Sequence, residues 1–144
     1  MKNHLNAAMG FLDPGTSLQQ LVNTLINNSL PAAAHNKTKV MNDVGQGVVI
    51  LHDDSNVITI LHELLDTVVQ NSHFGEIHIT AERYSGVVII EIQERNNYNG
   101  YALAYSIGSI EPDAALVGGH ISMKGQQQKV ATISFSFPDN LLAA

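Results

Sequence analysis

The sequence predicts an α+β fold, a two-layer α/β sandwich whose mixed, mostly antiparallel sheet carries about three helices on one face. Three observations predict it. The segment Asp53 to Ser72, DDSNVITILHELLDTVVQNS, has the spacing of a helix with a wide apolar side. Glu76 to Arg83 and Val87 to Glu94 read as two strands joined by a tight turn. The order along the chain is helix, two strands, helix, two strands, helix, two strands.

Composition bounds the rest. A chain of 144 residues, 44% hydrophobic, favours one domain with one core. No apolar run is long enough to span a bilayer, and the opening MKNHLNAAMGFLDPG makes a poor signal peptide. The chain has no cysteine, which excludes disulfides and thiolate-bound metals and fits a cytoplasmic setting. The net charge of −6, with only scattered basic residues, argues against nucleic-acid binding.

Residues 1–15 read as a linker or the remnant of a preceding element, closed by the turn residues Asp13-Pro14-Gly15. Residues 16–144 read as the domain. In TSLQQLVNTLINNSL, Leu18, Leu21, Val22, Leu25 and Ile26 keep helical spacing, with Thr16 and Gln19 or Ser17 and Gln20 as a capping box. Pro31, lacking an amide, is expected to kink or restart that helix. Lys37 to Asn42 reads as a charged edge strand and Val48 to Leu51 as a β-branched strand after a turn at 43–47. The central helix follows, with Asp53, Asp54 and Ser55 able to cap it. Val57, Leu61, Leu64 and Val68 form its apolar row, widened by Ile58, Ile60, Leu65 and Val69.

Ile77, Ile79 and Ala81 alternate with Glu76, His78, Thr80 and Glu82, so one side of that strand is buried. VVIIEIQE is apolar enough at its start for a central strand. Arg95 to Gly100 is a loop, and Tyr101 to Gly108 fits no single pattern. Ile110 to Val117 is a short helix with Pro112 in its first turn and Gly118-Gly119 at its end. His120 to Lys124 and Val130 to Phe137 are the last two strands, joined through 125–129.

Three stretches, in this order, resemble the ATP-binding catalytic domain of sensor histidine kinases, a Bergerat-type member of the GHKL superfamily of gyrase, heat-shock chaperone and mismatch-repair ATPases. They are SLQQLVNTLINNSLPAAAHNKTKVMND, the central helix, and ALVGGHISMKGQQQKVATISFSFP. The resemblance covers residues 17–138. It implies two-component signalling, ATP and magnesium as ligands, and a kinase or response regulator as protein partner.

Placed on this sequence, the family's asparagine box falls at Glu63 and Thr67, the second being the magnesium position. The lysine and aromatic residue one turn later fall at Gln70 and Asn71. The Asp-x-Gly-x-Gly motif, whose aspartate recognises the adenine amino group, falls on Glu94-Arg95-Asn96-Asn97-Tyr98, so Glu94 and Asn96 stand at cofactor positions. No long lid fits between Glu94 and the following helix, and the glycine-rich phosphate cradle is absent. His4 lies in no phosphoacceptor setting, and the upstream dimerisation helices are missing. These departures imply a pseudokinase: the fold is kept, neither ATP nor magnesium is bound, and the domain acts through protein contacts, as a homodimer or beside an active kinase. The alternative is a divergent but working ATP-binding domain using Glu63, Thr67, Asn71, Glu94 and Asn96; a small ligand in a remodelled pocket is the third reading.

His62-Glu63-x-x-Asp66 has part of a zinc-helix spacing and is read as a solvated polar face. His73 and His78 are read as surface residues; Tyr98 and Tyr101 either plug the vacated nucleotide pocket or present an interaction surface, and close packing of interiors favours the plug.

Overall fold

The central helix forms because its apolar residues fall on one side, and its packing decides the rest. In a computed structural model, which describes residues 15–51, 55–97 and 99–139, the chain runs as follows. Strand β1 (Thr16–Ser17) leads into helix α1 (Leu18–His35), then β2 (Lys39–Asn42), β3 (Val49–Ile50) and helix α2 (Ser55–Gln70). The hairpin β4 (Glu76–Tyr84) and β5 (Val87–Glu94) follows, then α3 (Gly100–Gly108), α4 (Glu111–Leu116), β6 (His120–Lys124) and β7 (Ala131–Pro138).

The main sheet has five strands in the order β2-β4-β5-β7-β6. β2 lies at its edge, parallel to β4, and every other pairing is antiparallel. The parallel pair requires a crossover, which β3 and α2 supply. Ser85-Gly86 makes the two-residue hairpin, both with positive φ (52° and 79°), the combination that matches the twist of the flanking strands.

Ile77 and Ile79, Val88, Ile90 and Ile92, Ile121, and Ile133, Phe135 and Phe137 are all buried on one side of the sheet. Val57, Ile60, Leu61, Leu64, Leu65, Val68 and Val69 of α2 join them in a single core with Leu18, Val22 and Leu25 of α1 and Leu103 and Ile107 of α3. Fully burying each such side chain contributes about 1.5–3 kcal/mol, against about 1 kcal/mol for a helix cap. Packing therefore outweighs end effects in holding α2.

Four expectations need correction. Tyr101–Gly108 belongs to a fourth helix, started by Asn99, whose side chain accepts from the Ala102 amide at 3.1 Å. Val49–Ile50 does not join the main sheet. It pairs antiparallel with Thr16–Ser17 as a separate two-stranded sheet, because the chain before α1 is extended there. Lys37 is not in the edge strand: its φ of 52° and its amide bond to the Ala34 carbonyl make it part of the turn that ends α1. Of the two outcomes expected at Pro31, a kink or a restart, the restart does not occur: α1 continues to His35. Asn27, the residue whose carbonyl loses its amide partner, is exposed, so water can satisfy it.

Of the two proposed capping boxes, Ser17 is the N-cap used, accepting from the Gln20 amide at 3.3 Å. Asp53, Asp54, Tyr98 and residues 1–14 lie outside the described residues.

On β4 one inward position is not apolar. Arg83 continues the side of β4 that carries Ile77, Ile79 and Ala81, and meets Asp139, which is 2% exposed. Arg83 donates to the Asp139 carboxylate and to the Val49 carbonyl (2.8 Å), while the Leu51 amide donates to Asp139 Oδ2 at 2.6 Å. This clamp ties β3 and the end of β7 to the hairpin. Removing one partner of a buried pair strands the other charge. Arg83→Leu is therefore expected to destabilise the fold by about 2–4 kcal/mol in a denaturant titration; Asp139→Asn in that background should restore part of the loss.

Candidate functional site

The polar edge of α2 and the end of β5 hold the six positions singled out in the sequence. Glu63, Thr67 and Asn71 are half-buried and Gln70 is exposed. Asn71 turns back on its own helix: its Nδ2 donates to the Thr67 carbonyl at 2.8 Å. The side chain of Asn36, from the end of α1, donates to the Val69 carbonyl at 2.9 Å. Together they add a second donor to the Thr67 and Val69 carbonyls, which also accept from the Asn71 and Ser72 amides, both at 3.1 Å. Gln70 donates to Asp66, one turn earlier, at 2.9 Å. Glu63 has one carboxylate oxygen, Oε1, that is buried with no hydrogen-bond partner among the described residues.

Glu94 is the most deeply placed of the six, at 2% exposure. It faces inward because it continues the β5 alternation of Val88, Ile90 and Ile92. Its Oε1 accepts from the Asn96 amide at 2.9 Å and from the Glu76 amide at 3.3 Å; its Oε2 has no partner among the described residues. Asn96 donates from Nδ2 to the Phe74 carbonyl at 3.0 Å. Glu94 and Asn96 thus meet each other and the turn between α2 and β4.

Three residues of this cluster were not anticipated from the sequence. Thr38 and Ser72 are buried, with their hydroxyls 3.1 Å apart, and the Gly75 amide donates to Thr38 Oγ1 at 3.3 Å. Gly75 is needed for space: a Cβ there would lie 2.6 and 2.7 Å from the two Glu94 oxygens and would also strike Ser72 Oγ. Thr38 and Ser72 are 34 positions apart, so no local pattern joins them. A glycine directly after the central helix was the only signal.

Between β5 and α3 only residues 95–99 intervene, and Asn97 among them is fastened down. The Asn97 amide donates to the Lys129 carbonyl at 2.7 Å, and its Nδ2 donates to the carbonyls of Gln126 and Gln128, both at 2.9 Å. Gly100 packs so closely on the Gln126 carbonyl that any side chain would collide with it. The connection after β5 is therefore laced to the β6–β7 turn, beside an open cavity of about 320 Å³ lined by Asn97, Asn99, Gly100, Tyr101 and 126–129. Tyr101 is not a plug. It is 63% exposed, with its hydroxyl bonded to Gln127 Nε2, because it sits on the outer side of α3.

His62 and His73 are exposed. Among the described residues no three His, Asp or Glu side chains gather as a metal site. His78 differs from the surface residue expected: its side chain is 11% exposed and bridges two carboxylates, Nδ1 to Asp43 at 2.6 Å and Nε2 to Glu76 at 2.5 Å. The hydrogen bond to Glu76, then that to Asp43, raises the imidazole pKa above its ordinary value near 6.5. The same bond to His78 lowers the Glu76 carboxyl below its ordinary 4.5.

No family model and no curated protein matches the sequence. Solved structures do match. Histidine kinase AdeS of Acinetobacter baumannii is 14% identical with a TM-score of 0.72, over 87% of this chain and 66% of that one. Full-length ShkA, solved in complex with AMPPNP, is 17% identical with a TM-score of 0.74, over 90% of this chain and 32% of that one. The nucleotide-free catalytic domain of histidine kinase ThkA is 15% identical with a TM-score of 0.66, over 85% of this chain and 92% of that one. ThkA in complex with response regulator TrrA also matches, at 14% identity and a TM-score of 0.61, over 86% of this chain and 41% of that one.

The fold is that of a histidine-kinase ATPase domain: an α+β sandwich with a mixed five-stranded sheet and four helices. This chain spans about two-thirds of the AdeS chain (66%) and one-third of the ShkA chain (32%) but nearly all of the isolated ThkA domain (92%). Among the described residues no helix is long and apolar enough to cross a membrane.

Two measurements probe this geometry. Gly75→Ala should destabilise by about 1–3 kcal/mol in denaturant, as overpacking does, because Glu94 must leave its amide donors. For His78 the raised pKa means that folding favours the protonated ring. Its contribution is full below the unfolded value near 6.5 and fades as pH rises through the folded value. The lowered pKa of Glu76 has the opposite sign: its contribution is present above 4.5 and fades as pH falls through the folded value. As pH rises above about 6.5 the thermal midpoint of the native chain should fall relative to His78→Gln, which removes the titrating group.

Proposed function

We propose that this chain is a degenerate ATP-binding domain of the sensor histidine kinase type, working as a non-catalytic signalling or interaction module. Residues 16–144 would form the domain and 1–15 the linker to whatever precedes it. The observation that carries the reading is the posture of Glu94. Its carboxylate is folded inward, 2% exposed, and one oxygen is taken by two backbone amides. A group meant to accept from an adenine amino group needs to face a cleft.

Three further features agree. Asn71 and Gln70 are occupied within their own helix, and no lysine or arginine stands on the polar edge of α2. The connection after β5 is short and is anchored at Asn97, which argues against its closing over phosphates. The residues present therefore do not fit Mg-ATP in the manner of the family, and no phosphoryl-transfer step follows from them. A protein partner of the kinase or response-regulator type is supported by the ThkA–TrrA complex and by the exposure of Tyr101 (63%) and Tyr105 (86%) on α3. Aromatic side chains of that kind are favoured in protein interfaces.

One observation favours the second reading, a working divergent ATP-binding domain. Buried oxygens of Glu63 and Glu94 lack donors among the described residues, as acceptors waiting for a ligand would. Calorimetry and an ADP-release assay separate the two. The expected result is that magnesium does not strengthen ATP binding and that no ADP is formed. Magnesium-dependent micromolar binding, lost in Thr67→Ala or Glu63→Ala, would establish the second reading instead.

A further inference from the structure

Lys37, Lys39 and Arg95 are three of only seven lysines and arginines in a chain of net charge −6, yet all three line one open cavity. The cavity, about 440 Å³, lies where the turn after α1, the turn after α2 and the end of β5 meet; Phe74, Gly75, Glu76 and Asn96 complete it. Neither lysine has a hydrogen bond or ion pair from its side chain among the described residues. Glu76, the one acidic member, is held by His78 Nε2 at 2.5 Å and lies 4.0 Å from Arg95. Three cations against one acidic side chain leave the lining of the cavity with a net positive charge.

The backbone gives a second, independent observation. Lys37 (φ 52°) and Phe74 (φ 53°) are two of the three non-glycine residues with positive φ, and both line this cavity. Lys37 directly follows the C-cap of α1, where glycine or asparagine is the residue the backbone prefers, and Phe74 lies in the turn between α2 and β4. Hydrogen bonds hold them there: Lys37 N to the Ala34 carbonyl at 3.1 Å and Phe74 N to the Asn36 carbonyl at 3.0 Å. The turns held in this way bring both side chains to the wall of the cavity. Phe74 is also 70% exposed, an open aromatic face beside three cations.

We propose that this cavity binds a small phosphate ester carrying an aromatic ring, with Lys37, Lys39 and Arg95 on the phosphate and Phe74 stacked on the ring. Two free ammonium groups and a guanidinium match a dianionic phosphate better than a singly charged carboxylate. An exposed ring stacks on any planar partner. The site needs neither magnesium nor the polar edge of α2, so it stands whether or not the domain is degenerate.

Titration of the full chain with phenyl phosphate, inorganic phosphate and benzoate, followed by amide NMR, tests it. Phenyl phosphate should bind more tightly than either other probe, by at least about fivefold, and should shift the amides of Lys37, Phe74, Gly75 and Asn96. Lys37→Ala with Lys39→Ala should weaken it at least about tenfold while the thermal midpoint holds, since both side chains are exposed and unpaired. Phe74→Gly keeps the backbone conformation and should abolish the preference for phenyl phosphate over inorganic phosphate. No binding at millimolar concentration, equal binding of all three probes, shifts confined to other amides, or affinity unchanged in the lysine variant would each overturn the proposal. Persistence of binding in Thr67→Ala is expected; its loss there would place the ligand in the other site and would also overturn it.

Discussion

The whole domain depends on one layer of apolar contact, the buried side of α2 against the inner face of the β4–β5–β7 sheet. Seven side chains of that helix are buried, more than caps or surface pairs could offset. A layer of this kind has two open ends where the strands run out. Here both ends are closed by charge. At one end Arg83, opposite Val88, reaches Asp139; at the other Glu94, opposite Ile77, reaches the amides of Glu76 and Asn96. Both charged residues occupy inward positions that strand alternation would assign to apolar side chains.

The two ends serve different purposes. The Arg83–Asp139 clamp is a self-contained pair that also gathers β3, and so fixes the small β1–β3 sheet beside the main one. Among the described residues Glu94 makes no ion pair. Its partners are backbone amides and, beside it, the Thr38–Ser72–Gly75 cluster, which joins the turns after both long helices. Packing there is tight enough that a side chain at Gly75 would displace Ser72 Oγ and the Glu94 carboxylate. This corner is therefore rigid and polar, and the cationic cavity opens directly beyond it, sharing Gly75, Glu76 and Asn96.

Nearly all elements were legible locally. The hairpin, α2, α4 and β6 follow from period and turn chemistry, because each is decided by residues within a few positions. The misses share a cause. Helix α3 reads ambiguously since GYALAYSIG is apolar on most sides, and only Asn99, bonded to the Ala102 amide, decides it. The short strand at Val49–Ile50 and the turn at Lys37 were misplaced because their partners, Thr16–Ser17 and the end of α1, act through hydrogen bonds that spacing does not encode. Tyr101 was misjudged because the side of α3 it occupies depends on how that helix packs.

The sequence by itself determined the two-layer architecture, the buried side of α2 and the residues that occupy the polar edge, since period and composition carry that information directly. Only the tertiary structure decided that Glu94 turns inward, that Thr38, Ser72 and Gly75 surround it, that His78 bridges Asp43 and Glu76, and that three scattered cations share one cavity. Those arrangements rest on contacts between residues far apart in the chain, whose distances are set by the way the sheet and helices close on each other.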